Sequence, residues 1–212
     1  NNILKEIICS MMFCTAVFSA AAQDNPARLL VRADDMGSFH SANIACIEAA
    51  TKGIARSVEV MVVAPWFPEA VKMLNENPGI DVGLHLTFTS EWENMKWRPL
   101  TDCPSITDEN GYFYPMMSHN DAYPGKAIKE NKWLLDEIVE EARAQIEMAL
   151  DNLPQLSHIS GHMGAYTFSP EVKKAIEELA AEYDLTLIDK ERYGFKSAGG
   201  YHGPHKTYKE KE

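Results

Sequence analysis

The chain has 212 residues, 45% hydrophobic and 24% charged, a balance that suits a packed globular core and excludes a disordered chain. Its formal net charge of −11 repels phosphate backbones and argues against a nucleic-acid partner, while a neutral substrate such as a sugar stays compatible. The length fits one domain of ordinary size, or one domain and a leader.

The first elements in chain order read as that leader. Residues 3–22 carry Lys5 and Glu6 as their charges, and the apolar run 7–18 is followed by Ser19, Ala20, Ala21 and Ala22. A short apolar run ending in small residues has the form of a signal peptide cut after Ala22. A membrane anchor or a buried helix is the alternative, but the run is short for a span. The expectation is therefore a signal peptide over 1–22 and a single domain over 27–212, secreted or periplasmic, with no membrane span once the leader is removed. Cys9 and Cys14 would leave with the leader. Cys46 and Cys103 form no CxxC metal pattern; Cys46 reads as a small buried hydrophobe, and a disulfide between the two stays open.

From residue 27 onward strands and helices alternate. Residues 28–33 read as a buried strand, 41–52 as a helix stopped by Gly53, 57–63 as a second, β-branched and apolar strand, 68–75 as a short helix, and 80–88 as a third strand. Residues 89–132 break the rhythm: rich in aromatic, Gly, Pro and Asn residues, they are too long for a plain connection. Leu134, Ile138, Ala142, Ile146, Ala149 and Leu153 then recur at three- and four-residue steps, a helix over 133–153. A strand over 156–162 follows, then a helix opened by Ser169 and Pro170, a last strand over 185–188, and a polar tail. Alternation of this kind implies right-handed βαβ units and a mainly parallel sheet, open or rolled into a barrel. No Gly-rich phosphate loop is present, so a nucleotide site has no support.

Three strand ends carry polar residues that a core does not want. The first ends in Asp34 and Asp35, and adjacent carboxylates after an apolar strand need a cation or donors. In the third, Ile80, Val82, Leu84, Leu86 and Phe88 share one face, and Asp81, Gly83, His85 and Thr87 the other. In the fourth, His158, Ser160 and His162 fall on one face. Taken singly, each has an ordinary reading: a turn or N-cap for the aspartates, a satisfied core histidine for His85. Together, at the strand ends where parallel α/β proteins build their sites, an Asp and two His drawn from these three strands make a good first shell for a divalent cation, with a position left for water.

At these residues the sequence resembles the YdjC-like family, the chitooligosaccharide deacetylase group, from about residue 29 to 187. The family's Ala-Asp-Asp-Phe-Gly strand end appears as Ala33-Asp34-Asp35-Met36-Gly37, and its Gly-Leu-His-Leu-Thr motif as Gly83-Leu84-His85-Leu86-Thr87. Its Gln-Ile-Glu helix appears as Gln145-Ile146-Glu147, and its Thr-His-Leu-Asp-Ser-His-x-His motif as residues 157–164. The resemblance implies an irregular, TIM-like (β/α) barrel and hydrolytic removal of acetyl groups from N-acetylated amino sugars or oligosaccharides. It also implies a divalent metal, zinc or magnesium, on Asp35, His85 and His162, with Asp34 as general base; His158 remains as a candidate acid. Two departures stand out. Ser160 occupies the place of the family's Asp, so a carboxylate that could orient a histidine is missing, and Gly164 replaces a histidine. The family's late His-Pro-Gly strand end has no match, so a barrel incomplete at its C-terminus is expected. His202 and His205 read as solvated tail more readily than as cleft residues. Trp92, Trp97, Tyr112, Phe113 and Tyr114 either stack on sugar rings or pack the insert onto the barrel. The competing functions are a metal-dependent glycan-binding relative without turnover and a hydrolase of another amide or an ester. The sequence leaves the oligomeric state open.

Overall fold

The computed structural model describes residues 29–188. The chain divides into two compact units, Asn1–Leu30 and Val31–Glu212; in the first, Leu29 and Leu30 are described, and neither is in a helix or strand. The expected signal peptide over 1–22, and His202 and His205, lie outside the described residues. No helix among the described residues is long and apolar enough to cross a membrane.

The second unit alternates as expected: β1 (Arg32–Met36), α1 (His40–Thr51), β2 (Ser57–Val60), α2 (Phe67–Asn75), β3 (Asp81–Leu86), α3 (Leu135–Asn152), β4 (Leu156–Gly161), α4 (Pro170–Glu182) and β5 (Thr186–Leu187). All four strand pairings are parallel and the sheet order is β1-β2-β3-β4-β5. An order that follows the chain is the winding of a (β/α) barrel; a doubly wound sheet reverses at a switch point. The α/β class and barrel-type winding expected from the sequence therefore hold, with β1 and β5 at the edges among the described residues.

Each element has a local cause. Val58, Val60, Val82, Leu84 and Leu86 are fully buried, as strands covered on both faces require. In α3 the apolar stripe buries Ile138, Ala142, Ile146 and Ala149 completely, while Leu134 sits at the N-cap and stays exposed. Ser169 caps α4 by accepting from the backbone N–H of Glu171, followed by Pro170 in the first turn. The first strand starts later than the sequence suggested, at Arg32, and this places Asp34 and Asp35 inside β1. A register irregularity between Ala33 and Met36 gives Asp35 a φ of 67°, a left-handed conformation that Asp tolerates better than most residues.

Two side chains of α3 fasten the end of β3 and the long insert that follows it. Gln145 accepts from the backbone N–H of Thr87 at 3.0 Å and donates to the carbonyl of Thr87 at 2.8 Å, so its amide extends β3 by one pairing. Glu141, fully buried, accepts from the backbone N–H groups of Leu100 and Thr101, both at 2.9 Å, from the Thr101 hydroxyl at 2.8 Å, and from Gln145 at 2.7 Å. Removing that carboxylate strands the buried Gln145 amide and the part-buried donors of Leu100 and Thr101. Glu141→Ala is expected to destabilise the fold by about 2–4 kcal/mol in urea denaturation and to speed amide exchange at Leu100 and Thr101. A loss below about 0.5 kcal/mol, the range of neutral surface changes, would mean the insert is anchored elsewhere.

Candidate metal centre

The parallel register lines up polar residues on one face of the sheet. Glu59 on β2 pairs in register with Gly83 on β3, and Gly83 with His158 on β4; the next step along brings His85 beside Ser160. Past the end of β4, a 3-10 turn over His162–Gly164 sets His162 over the same end of the sheet as Asp35. Met163 in that turn has a φ of 49°, so left-handed backbone directly follows His162 past β4, while on β1 Asp35 itself adopts it.

Asp35, His85 and His162 converge. One ligand atom from each lies within 4.8 Å of the others, and among the described residues they form the cluster able to hold a metal ion. Asp35 Oδ1 lies 3.0 Å from His162 Nδ1 and 3.3 Å from His85 Nε2. Both imidazoles are 4% exposed, while the Asp35 side chain is 40% exposed, so the cluster opens to solvent on the aspartate side. Burial raises the Asp35 carboxyl, but its interactions with the His162 and His85 imidazoles outweigh it and hold the group far below the usual carboxylate range. Burial likewise opposes a charge on His162, yet its bonds to Asp35 and Glu91 raise its pKa from 6.5 to about 9. A carboxylate and two imidazoles with a solvent-facing side are a donor set that suits a divalent cation.

Behind each histidine stands a carboxylate that the sequence did not flag. Glu91, in the insert, accepts from His162 Nε2 at 3.0 Å. Glu59 accepts from the Ser160 hydroxyl at 2.5 Å, and Ser160 Oγ lies 2.8 Å from His85 Nδ1. The carboxylate expected to be missing at Ser160 is thus supplied one residue further away, by Glu59. A signal for Glu59 was present: Ser57 and Glu59 alternate with Val58 and Val60, so a Glu inside an otherwise apolar strand marks a buried polar face. No periodicity covers Glu91.

The other candidate site residues fall differently. Asp34 points its carboxylate at Arg32 Nη2, 3.2 Å away, and is outside the convergent cluster. The structure does not bring His158 into the cluster either. Its Nε2 donates to Glu59 Oε1 at 2.9 Å and its Nδ1 lies 2.8 Å from Ser157 Oγ, so both ring nitrogens are engaged beneath the site. Of the insert aromatics, Trp97 and Phe113 are buried and pack the insert; Trp97 Nε1 donates to the Thr89 carbonyl. Arg98 lies over the Tyr112 ring at 4.0 Å, and Tyr114 packs against the core. Trp92, next to Glu91, is partly buried, with Phe39 at 4.6 Å and Trp97 at 5.2 Å. Cys46 and Cys103 are both buried and free.

A parallel α/β sheet with a carboxylate and two imidazoles gathered at its strand ends defines the class: a barrel-type protein with a candidate metal centre. The chain matches the profile of the YdjC-like protein family over residues 28–208, and it belongs to that family. It is 31% identical over 162 residues to the carbohydrate deacetylase of Vibrio cholerae, covering 76% of this chain and 58% of that one. It is 32% identical over 162 residues to the carbohydrate deacetylase of Vibrio vulnificus, with the same coverage. Carbohydrate deacetylase 2 of Listeria innocua is 26% identical over 170 residues, 80% of this chain and 63% of that one. The chain thus spans less than two thirds of the length of these relatives. Among solved structures, an Enterococcus faecalis protein provisionally named for cellobiose-phosphate cleavage superposes with a TM-score of 0.63 at 26% identity, covering 74% of this chain and 57% of that one.

Protonated His162, clasped between Asp35 and Glu91, stabilises the chelator-treated protein fully at pH 6.5 and below. That contribution is lost as pH rises from 6.5 to about 9. Thermal denaturation of chelated protein across this interval is expected to show a falling Tm, and His162→Gln to flatten the slope. An unchanged slope in the variant would place the titrating group elsewhere.

Proposed function

We propose that this protein is a metal-dependent hydrolase that removes acetyl groups from N-acetylated amino sugars or oligosaccharides. The observation that carries the reading is the convergence of Asp35, His85 and His162 within 4.8 Å in a member of a family whose curated relatives are named carbohydrate deacetylases. The leader-like composition of 1–22 supports action outside the cytoplasm, secreted or periplasmic.

In this reading Asp35, His85 and His162 hold a divalent cation, zinc or magnesium. A divalent cation supplies Lewis acidity, polarising an acyl carbonyl and making water easier to deprotonate. Asp34, adjacent in sequence to a ligand, takes the proton from the attacking water as general base. The departing amine needs one proton, and the one Asp34 has taken balances it, so a single carboxylate can serve both halves of the exchange. With its ring nitrogens engaged by Glu59 and Ser157, His158 supports the site from beneath instead of donating that proton. Glu91 keeps Nε2–H of His162 occupied, which leaves Nδ1, the nitrogen facing Asp35, as the one to bind. Trp92 offers its ring beside Glu91 for a pyranose face.

The test joins metal content to acetate release from N-acetylglucosamine oligomers. Wild type is expected to bind one divalent ion and release acetate. Asp35→Ala is expected to lose both, while Asp34→Asn keeps the ion and loses roughly 10²–10⁴-fold in turnover. Acetate release that survives both Asp35→Ala and chelation would sink the metal-dependent reading. Metal-dependent sugar binding with no acetate released would select the non-catalytic glycan-binding relative, and turnover confined to other acyl compounds the hydrolase of another amide or ester.

A further inference from the structure

We infer that Glu59 is a positioning residue for His85: acting through the Ser160 hydroxyl, it fixes the proton on Nδ1 and leaves Nε2 free for a cation. This rests on the metal-centred reading above. Glu59 sits in the middle of β2 and is fully buried. A carboxylate enclosed in this way needs donors on several sides. It has three: Ser57 Oγ at 2.7 Å, His158 Nε2 at 2.9 Å and Ser160 Oγ at 2.5 Å. Two of these come from β4, although β3 lies between β2 and β4 in the sheet.

The reach across β3 depends on Gly83. A Cβ at that position would lie 2.2 Å from Glu59 Oε2 and 2.4 Å from His158 Nε2, closer than atoms can approach. The glycine is therefore the gap through which a β2 carboxylate meets β4 side chains.

The protons then follow in order. A carboxylate accepts and cannot donate, so the Ser160 hydroxyl hydrogen lies on the 2.5 Å line to Glu59. With its hydrogen committed, Ser160 Oγ can only accept along the 2.8 Å line to His85 Nδ1. Nδ1 therefore carries the hydrogen, and Nε2, 3.3 Å from Asp35 Oδ1, is the nitrogen with a lone pair to offer. Carboxylates that orient a metal-ligating imidazole usually touch it directly; here a hydroxyl relays the effect.

Two variants test the chain of bonds in the full-length protein. Ser160→Ala deletes the relay and leaves the Glu59–His158 pair in place; Glu59→Gln keeps the volume and removes the charge. The first readout is ¹⁵N-histidine NMR of the chelated protein. Wild type is expected to show a slowly exchanging proton on His85 Nδ1 that Ser160→Ala removes. The second is zinc affinity by competition with a chromophoric chelator, expected to weaken about 10–100-fold in both variants at unchanged helical content. If wild type binds zinc and both variants match it within about twofold, Glu59 does not position the ligand. If wild type binds no zinc but shows the Nδ1 proton and loses it in Ser160→Ala, the positioning stands and the metal-centred reading falls. Absence of that proton from wild type would overturn the inference directly.

Discussion

A carboxylate enclosed within a parallel sheet has to be surrounded by donors, and much of the candidate site follows from how Glu59 meets that demand. Its three donors reach it from β2 and β4, so the groups that satisfy it also fix the spacing of the polar face. Ser160 and His158 cannot rotate freely without stranding Glu59, and His85 inherits its orientation from Ser160. Without Glu59, Ser160 would lose its acceptor and the polar face between β2 and β4 would have no common anchor.

The same economy governs the mouth of the site. Asp35 occupies a left-handed backbone position on β1, and Met163 another just past β4. Strained positions persist only where their surroundings over-determine them, and they concentrate at functional sites. Here one bears a ligand and the other follows a ligand, so the backbone distortion and the convergence of donors are parts of one arrangement. The insert joins in from the third side: Glu91 reaches His162, while Glu141 and Gln145 tie the insert and the end of β3 to α3.

Much of this was legible in the sequence because its signals were local. Strict alternation around His85 and the period-two spacing of His158 and Ser160 follow from strand geometry, and the adjacent carboxylates at Asp34 and Asp35 stand out against an apolar run, while His162 takes its place from the 3-10 turn past β4. The α3 stripe and the Ser169 cap were equally readable. What escaped is long-range. Glu59 belongs to a strand that reads as apolar, and its partner Ser160 is separated by 101 residues; the parallel register brings them together, and no short window contains both. Glu91 lies in an irregular segment without any period. His158 looked available because sequence shows the residue type and not what occupies its two nitrogens. The apolar run at 28–33 carries a stronger strand signal than Asp34 and Asp35, although both aspartates sit inside β1.

Gly83 has a bearing on how this protein can vary over time. Any side chain there would collide with the Glu59–His158 pair, so drift at position 83 is closed while those two remain. A lineage that placed an acidic residue at 160 would have two carboxylates facing each other across β3 unless Glu59 had already given way. Position 83 is therefore tied to Glu59 and His158, and the charge that position 160 can carry is tied to position 59, a constraint shared by three strands.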